Sequence, residues 1–188
     1  MIYLASLSPR RCELLTQIRL DYQQIAVTVD ETRYPQESPS DYVSRLALAK
    51  ARAGRLMVPT TEPVLGADTI VVCGEQLFGK PVNENDAKQM LRQLSGRSHQ
   101  VITAVALLTE TQEKQRLNVS KVYFRPLSKT DIEAYIATGE PLDKAGSYAI
   151  QGRASVFIER LEGSYSGVMG LPLYETATLL AEIGFKVF

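Results

Sequence analysis

The chain has 188 residues, 45% hydrophobic and 22% charged, which fits one ordinary globular domain and excludes disorder and low complexity. Its 21 Lys and Arg balance 21 Asp and Glu, so a polyanion binder driven by net charge is excluded and any anion binding must be local. No apolar run reaches the roughly 18 residues of a membrane-spanning helix, and the opening residues put charge after their apolar stretch, the reverse of a secretory signal, so a cytoplasmic setting with no membrane is expected.

In chain order, Ile2-Tyr3-Leu4-Ala5 predicts a strand, Ser6-Leu7-Ser8-Pro9 a loop, and Leu14, Leu15 and Ile18 one face of a helix. Tyr22 to Val29 predicts a second strand with Asp30 and Glu31 at its end. Ser38 as N-cap and Pro39 at the first helical position open a helix carrying Val43, Leu46, Ala47 and Lys50, closing at Gly54 or Met57. Val64 to Cys73 is nearly continuous and β-branched, as a strand buried on both faces would be. A Gly74-Glu75 turn leads to Leu77-Phe78, and a helix from about Asn83 to Leu94 buries Ala87, Met90, Leu91 and Leu94 before Gly96. Gln100–Thr109 and Leu117–Phe124 predict an antiparallel hairpin, and Ser128 to Asp131 a capping box opening a helix through Ile136. A strand near Val156-Phe157-Ile158 follows a glycine-rich stretch, and Pro172 opens a last helix with Leu173, Ala177, Leu180 and Ile183 inward. Alternating strands and helices with one antiparallel insertion make the class α/β with a mixed sheet.

Several residues carry chemistry. Ser6-Leu7-Ser8-Pro9-Arg10-Arg11 lies where strand gives way to helix, where N–H groups, hydroxyls and guanidiniums can converge on phosphate; the same residues also read as a Ser-Pro cap with two solvated arginines. Asp68 interrupts the most apolar strand, and a carboxylate there costs several kcal/mol unless a metal or cation partners it. If the strand instead ends near Gly66, Asp68 points to water at the carboxyl end, which is where α/β sheets place ligands. Glu31, Lys50 and Lys80 are candidate partners, a set suited to metal-assisted chemistry on phosphates, although each lysine alone reads as a surface charge. Gln151, between Ile150 and Gly152, carries an amide that can read a base edge or face solvent. Cys12 and Cys73 make neither a disulfide framework nor a zinc spacing and are expected as small buried thiols, and His99 reads as a strand-edge residue with no role.

Taken in order, Ser6 to Leu15, Asp30-Glu31, Ala49-Lys50-Ala51, Gly66-Ala67-Asp68-Thr69, Gly79-Lys80-Pro81, Leu94-Ser95-Gly96, Asp143 to Tyr148, Gln151-Gly152 and Gly170-Leu171-Pro172 resemble the Maf family of nucleotide pyrophosphatases across nearly the whole chain. The resemblance implies a single Maf-like pyrophosphatase domain over residues 1–188. It also implies an elongated mixed β-sheet flanked by helices, with two lobes and a central cleft, similar to inosine triphosphate pyrophosphatase-like folds. The implied activity is hydrolysis of a nucleoside triphosphate to the monophosphate and pyrophosphate with a divalent cation, Mg²⁺ or Mn²⁺. Pro9-Arg10-Arg11, Asp68-Thr69 and Gln151-Gly152 side with the members acting on dTTP and UTP.

Carried over, Asp68 would activate water or ligate the metal, and Glu31 would share that metal. Arg10, Arg11, Lys50 and Lys80 would offset phosphate charge, Ser6 would touch a phosphate oxygen, and Arg10, Thr69 and Gln151 would shape base choice. A homodimer is what the resemblance suggests, with a nucleoside triphosphate as partner and no nucleic acid. The alternative is a nucleotide-binding regulator of cell division or septum formation without turnover.

Overall fold

The computed structural model describes residues 1–58 and 61–187. Its strands are β1 (Ile2–Leu4), β2 (Tyr22–Gln24), β3 (Val64–Cys73), β4 (Gln76–Phe78), β5 (Ser98–Leu108), β6 (Glu113–Phe124) and β7 (Ile158–Glu162). They form one sheet ordered β2-β1-β3-β5-β6-β7, with β4 paired to β3 off that path. β1 runs parallel to β2 and β3, while β4 is antiparallel to β3 and β7 to β6, so the sheet is mixed as the sequence predicts. The helices are α1 (Pro9–Gln17), α2 (Pro39–Met57), α3 (Glu84–Leu94), α4 (Lys129–Ile136), α5 (Tyr165–Met169) and α6 (Leu173–Ala181). None is long and apolar enough to cross a membrane among the described residues.

The chain divides into two compact units. Met1–Asp68, Thr103–Asn118 and Gly170–Phe188 make the first, and Thr69–Ile102 with Val119–Met169 the second.

In the first unit, α2 begins where the Ser38 hydroxyl accepts the Asp41 N–H at 3.1 Å, with Pro39 in the first turn, as expected. Val43, Leu46, Ala47, Ala51 and Gly54 are buried along one stripe, and each large member contributes about 1.5–3 kcal/mol by leaving water. The close approach of α2 to β3 depends on Gly66: a Cβ there would press on the Ala47 carbonyl oxygen and come within 2.6 Å of Ala51 N, both of them backbone that cannot yield. Because Lys50 lies one turn beyond Ala47 and Asp68 two residues beyond Gly66, that approach sets the distance across which the two side chains meet.

In the second unit, α3 is capped by Asn83, which accepts the Asp86 N–H at 2.9 Å, and buries the predicted Ala87, Met90, Leu91 and Leu94. α4 opens with the predicted capping box of Ser128 and Asp131.

Several expectations are corrected. β2 stops at Gln24 and does not continue to Val29, because its partner β1 ends at Leu4, the residue paired with Gln24; Asp30 and Glu31 therefore sit in a loop and not at a strand end. Residues Arg153–Phe157 form a 3-10 turn with Val156 exposed, so the last strand starts at Ile158. α6 buries Thr176, Leu179 and Leu180, the Thr176 hydroxyl being satisfied by the Pro172 carbonyl at 2.8 Å, so the inward face is rotated from the predicted one. Finally, His99 is a core residue, 2% exposed, packed edge-on to Phe124 and Tyr148 with ring centroids 5.0 and 5.3 Å away. Of the thiols, Cys73 is buried as expected and Cys12 is only half-buried.

Candidate active site

Three predicted residues meet in the first unit. Lys50 Nζ, from within α2, donates to Asp68 Oδ1 at 2.6 Å and pairs with Glu31 Oε1 at 2.7 Å. Asp68 is 8% exposed, in the middle of β3, where neighbouring Val64, Leu65 and Ala67 have no exposure at all. Burial pushes its carboxyl above the ordinary aspartate value, opposed by the charge and hydrogen bond of Lys50 and by Arg11, and reinforced by the charge of Glu31. Glu31 is itself exposed, and its loop is tied down by the Tyr42 hydroxyl, which donates to the Glu31 carbonyl at 2.9 Å.

The Ser6-to-Arg11 segment turns from β1 into α1 beside this group. Arg11 Nη1 donates to Ser6 Oγ at 3.0 Å and Arg11 Nε to the Gly170 carbonyl at 2.8 Å, so the guanidinium is fixed at two points. Burial and then the charge of Arg10 push Arg11 below its ordinary value, while Asp68 and Glu31 hold it up, which places its charge in the field of both carboxylates. Ser6 Oγ accepts a second bond from Ser8 N–H at 3.2 Å; with its acceptor capacity used, its own proton is left to donate. The Ser8 side chain does not cap α1, so the first-turn N–H groups of that helix are not answered by a side-chain cap.

Of the other predicted residues, Arg10 is half-buried in α1. The remainder belong to the second unit. Thr69 follows Asp68 on β3 and is half-buried, Lys80 is exposed after β4, and Gln151 is exposed beside Gly152. The structure thus gathers Ser6, Arg11, Glu31, Lys50 and Asp68 into one polar group, with Thr69 next along β3 and Lys80 and Gln151 on other segments.

This arrangement presents an ionisable carboxylate of raised affinity for protons, cations fixed nearby, and hydroxyl and amide donors at a helix start. Such a set can activate water and hold an anionic phosphate. The sequence matches the family profile described as Maf-like protein over residues 1–183. The chain belongs to the Maf family. It is 55% identical to a dTTP/UTP pyrophosphatase of Xanthomonas euvesicatoria, with 98% of this chain and 99% of the relative covered. A dTTP/UTP pyrophosphatase of Aromatoleum aromaticum is 51% identical, covering 99% and 97%. The Staphylococcus aureus Ham1 protein shares the fold with a TM-score of 0.53 at 13% identity, covering 97% of this chain and 96% of that one.

Two further groups contact this cluster beyond the residues the sequence pointed to. Tyr42 lies eight residues before Lys50, which puts both on one helix face, and that spacing was a usable signal. The Gly170 carbonyl that holds Arg11 is 159 residues away, and no local pattern announces it.

Proposed function

We propose that this chain is a nucleoside triphosphate pyrophosphatase that hydrolyses dTTP and UTP, together with modified pyrimidine triphosphates, to the nucleoside monophosphate and pyrophosphate. The observation that carries the reading is a buried Asp68 carboxylate held by a lysine that Glu31 shares, in a chain 55% identical to a dTTP/UTP pyrophosphatase.

In this reading Asp68 accepts a proton from the attacking water. The water oxygen bonds to the α-phosphorus, the bond to the bridging oxygen breaks, and pyrophosphate leaves with that electron pair. The charge and hydrogen bond of Lys50 favour the ionised Asp68, against the burial that favours the neutral acid. Arg11, pinned by Ser6 and Gly170, meets developing phosphate charge with little reorganisation, which is where preorganised donors help most. Ser6 donates its remaining proton to a phosphate oxygen, and Arg10 and Lys80 add charge. Thr69, Arg10 and Gln151 select the base, the Gln151 amide offering both a donor and an acceptor to a uracil or thymine edge.

A divalent cation, Mg²⁺ or Mn²⁺, fits the donor chemistry. Asp68 and Glu31 offer hard carboxylate oxygens that already converge on one cationic atom, Lys50 Nζ. Among the described residues no group of three or more His, Cys, Asp and Glu stands ready for a metal, so its other positions would fall to water and substrate phosphates, the usual arrangement for Mg²⁺. When bound, the cation supplies Lewis-acid polarisation of phosphate oxygens. Residues 1–188 acting as one catalytic domain, a homodimer and a cytoplasmic setting belong to the same proposal, tested by light scattering and cell fractionation.

The test of activity is pyrophosphate release from a panel of nucleoside triphosphates with Mg²⁺ or Mn²⁺, run beside Asp68→Asn. Turnover of dTTP and UTP that the variant loses is expected. Tight triphosphate binding with no turnover of any base would overturn the enzyme reading in favour of a nucleotide-binding regulator of division.

A further inference from the structure

Around Gln151 the second unit carries a network that the reaction above does not use. Glu140, in the 3-10 turn Glu140–Asp143, accepts the Tyr135 hydroxyl on Oε1 at 2.8 Å and the Arg153 N–H on both carboxylate oxygens at 3.1 Å. Tyr135, 3% exposed, in turn accepts the Ala149 N–H at 3.2 Å. One phenol and one carboxylate therefore hold the backbone on both sides of Gln151. Glu140 is fastened in its own right, since Lys144 Nζ donates to its carbonyl at 2.7 Å and its N–H donates to Thr138 Oγ1 at 3.2 Å. Burial and the hydrogen bond to Glu140 push the Tyr135 phenol above its ordinary value, so it stays a donor at any working pH.

Gly152 completes the arrangement. A Cβ there would lie 2.5 Å from Glu140 Cδ, so the carboxylate fills the space that any other residue's side chain would enter. An exposed glutamine has many rotamers and reads a base edge only if its backbone origin is fixed, because misplacement by about 1 Å forfeits much of a hydrogen bond's selectivity.

We infer that Glu140, linked through Tyr135, is the positioning residue that fixes the Gln151–Gly152–Arg153 turn and so sets base selection. The inference rests on the reading of Gln151 as the base-reading amide. Glu140 touches neither substrate nor reacting atoms in this role.

The experiment compares kcat/KM for dTTP with that for a purine triphosphate in wild type, Glu140→Ala, Glu140→Gln, Gly152→Ala, Gln151→Ala and the Glu140→Ala/Gln151→Ala pair, each checked for a cooperative thermal unfolding transition. In Glu140→Ala the preference for dTTP falls about tenfold, through KM more than kcat. Glu140→Gln keeps an acceptor oxygen for the Arg153 amide and restores most of the preference. Gly152→Ala displaces the flexible carboxylate and not the backbone, so it reproduces the loss with Glu140 still present, and it carries the test should Glu140→Ala fail to fold. The double variant is no worse than Gln151→Ala, because the two residues act through one contact.

An unchanged preference in Glu140→Ala, with Gln151→Ala impaired, overturns the role of Glu140 and leaves the base-reading amide standing. An unchanged preference in Gln151→Ala overturns that reading and this inference together. Equal loss for every base in Glu140→Ala also overturns it, since a merely structural carboxylate would behave so.

Discussion

Asp68 on β3 and His99 on β5 are both titratable, both nearly sealed from solvent, and handled in opposite ways. Asp68 is surrounded by charge: Lys50 at 2.6 Å, with Arg11 and Glu31 in its field. His99 has aromatic rings around it, one hydrogen bond to the Tyr148 hydroxyl at 2.8 Å through Nε2, and no partner for Nδ1 among the described residues. Burial alone pushes His99 down to about 4, so the imidazole is neutral at working pH. A charge that is buried, answered by two cations and crowded by a second carboxylate has no packing rationale that a hydrophobic residue would not serve better. A neutral ring in an aromatic cluster has one. In the proposed function, the contrast gives chemistry to the first and folding to the second.

The largest effect expected from that assignment is on turnover. Asp68→Asn keeps the shape and removes the proton acceptor, so kcat/KM for dTTP falls by at least about a thousandfold while the variant unfolds at no lower temperature than wild type. Stability is spared because burial outweighs Lys50 and Arg11 in the balance that raises the Asp68 carboxyl. The same balance places the acid limb of the pH–rate profile above the ordinary aspartate value, since activity needs Asp68 ionised. A folded variant with wild-type turnover, or one that is active but much less stable, would erase the distinction from His99.

The next effect is on stability and runs with pH. The native state binds no proton at His99 between pH 6.5 and about 4, while the unfolded chain does. Stability therefore rises with pH across this window, is fully present above pH 6.5, and is lost by about 3 kcal/mol as pH falls towards 4. Asp68 works in the opposite sense, its raised pKa favouring the native state as pH falls. Urea unfolding of wild type and His99→Gln at pH 7 and pH 5 separates the two: the variant loses the slope, and a slope that survives it belongs to other groups.

Much of the frame behind this comparison could be read from the sequence, and the reasons are local. β3 announces itself through a β-branched run that no helix stripe resembles, and Asp68 stands out because it breaks that run. The α2 start is spelled by Ser38 and Pro39. The polarity of Ser98 and Gln100 around His99 suggests a strand edge, yet Gln100 faces solvent while His99 and Val101 are buried, so the period-two alternation is present in the sequence. Tyr135 and Glu140 could not be seen to bracket Gln151, because their partners are backbone groups up to 14 residues away, and only the folded path brings those together. Likewise the approach of α2 to β3 is a tertiary fact recorded in the sequence only as Gly66.

Gly66 gives a smaller, sharper test. Gly66→Ala forces the Cβ against the backbone of α2, costing about 1–3 kcal/mol as an overpacked core position, and it moves Lys50 away from Asp68. Both stability and turnover should fall, with the acid limb of the pH–rate profile shifted upward as Asp68 loses its cation. Loss of stability with an unmoved acid limb would mean that Lys50 follows Asp68 regardless of the backbone approach, and that the pair is held by its own attraction alone.

The smallest effect concerns a polar network that is neither buried nor chemical. Ser128 Oγ accepts the Asp131 N–H at 3.0 Å, Asp131 accepts the Ser128 N–H at 2.9 Å, and Arg125 pairs with the same carboxylate at 3.0 Å. Arg125 and the two Ser128 bonds hold the Asp131 carboxyl well below the usual range, yet the pair is partly exposed to solvent, where such interactions are screened. Its value lies in the helix cap: Ser128→Ala leaves an orphan N–H at the start of α4 and costs about 1 kcal/mol, read as a lower thermal midpoint, with kcat/KM unchanged. If that variant instead lost turnover, charge clusters in this chain could not be sorted into chemical and structural ones by burial. The contrast between Asp68 and His99 would then need some other basis than the environment each occupies.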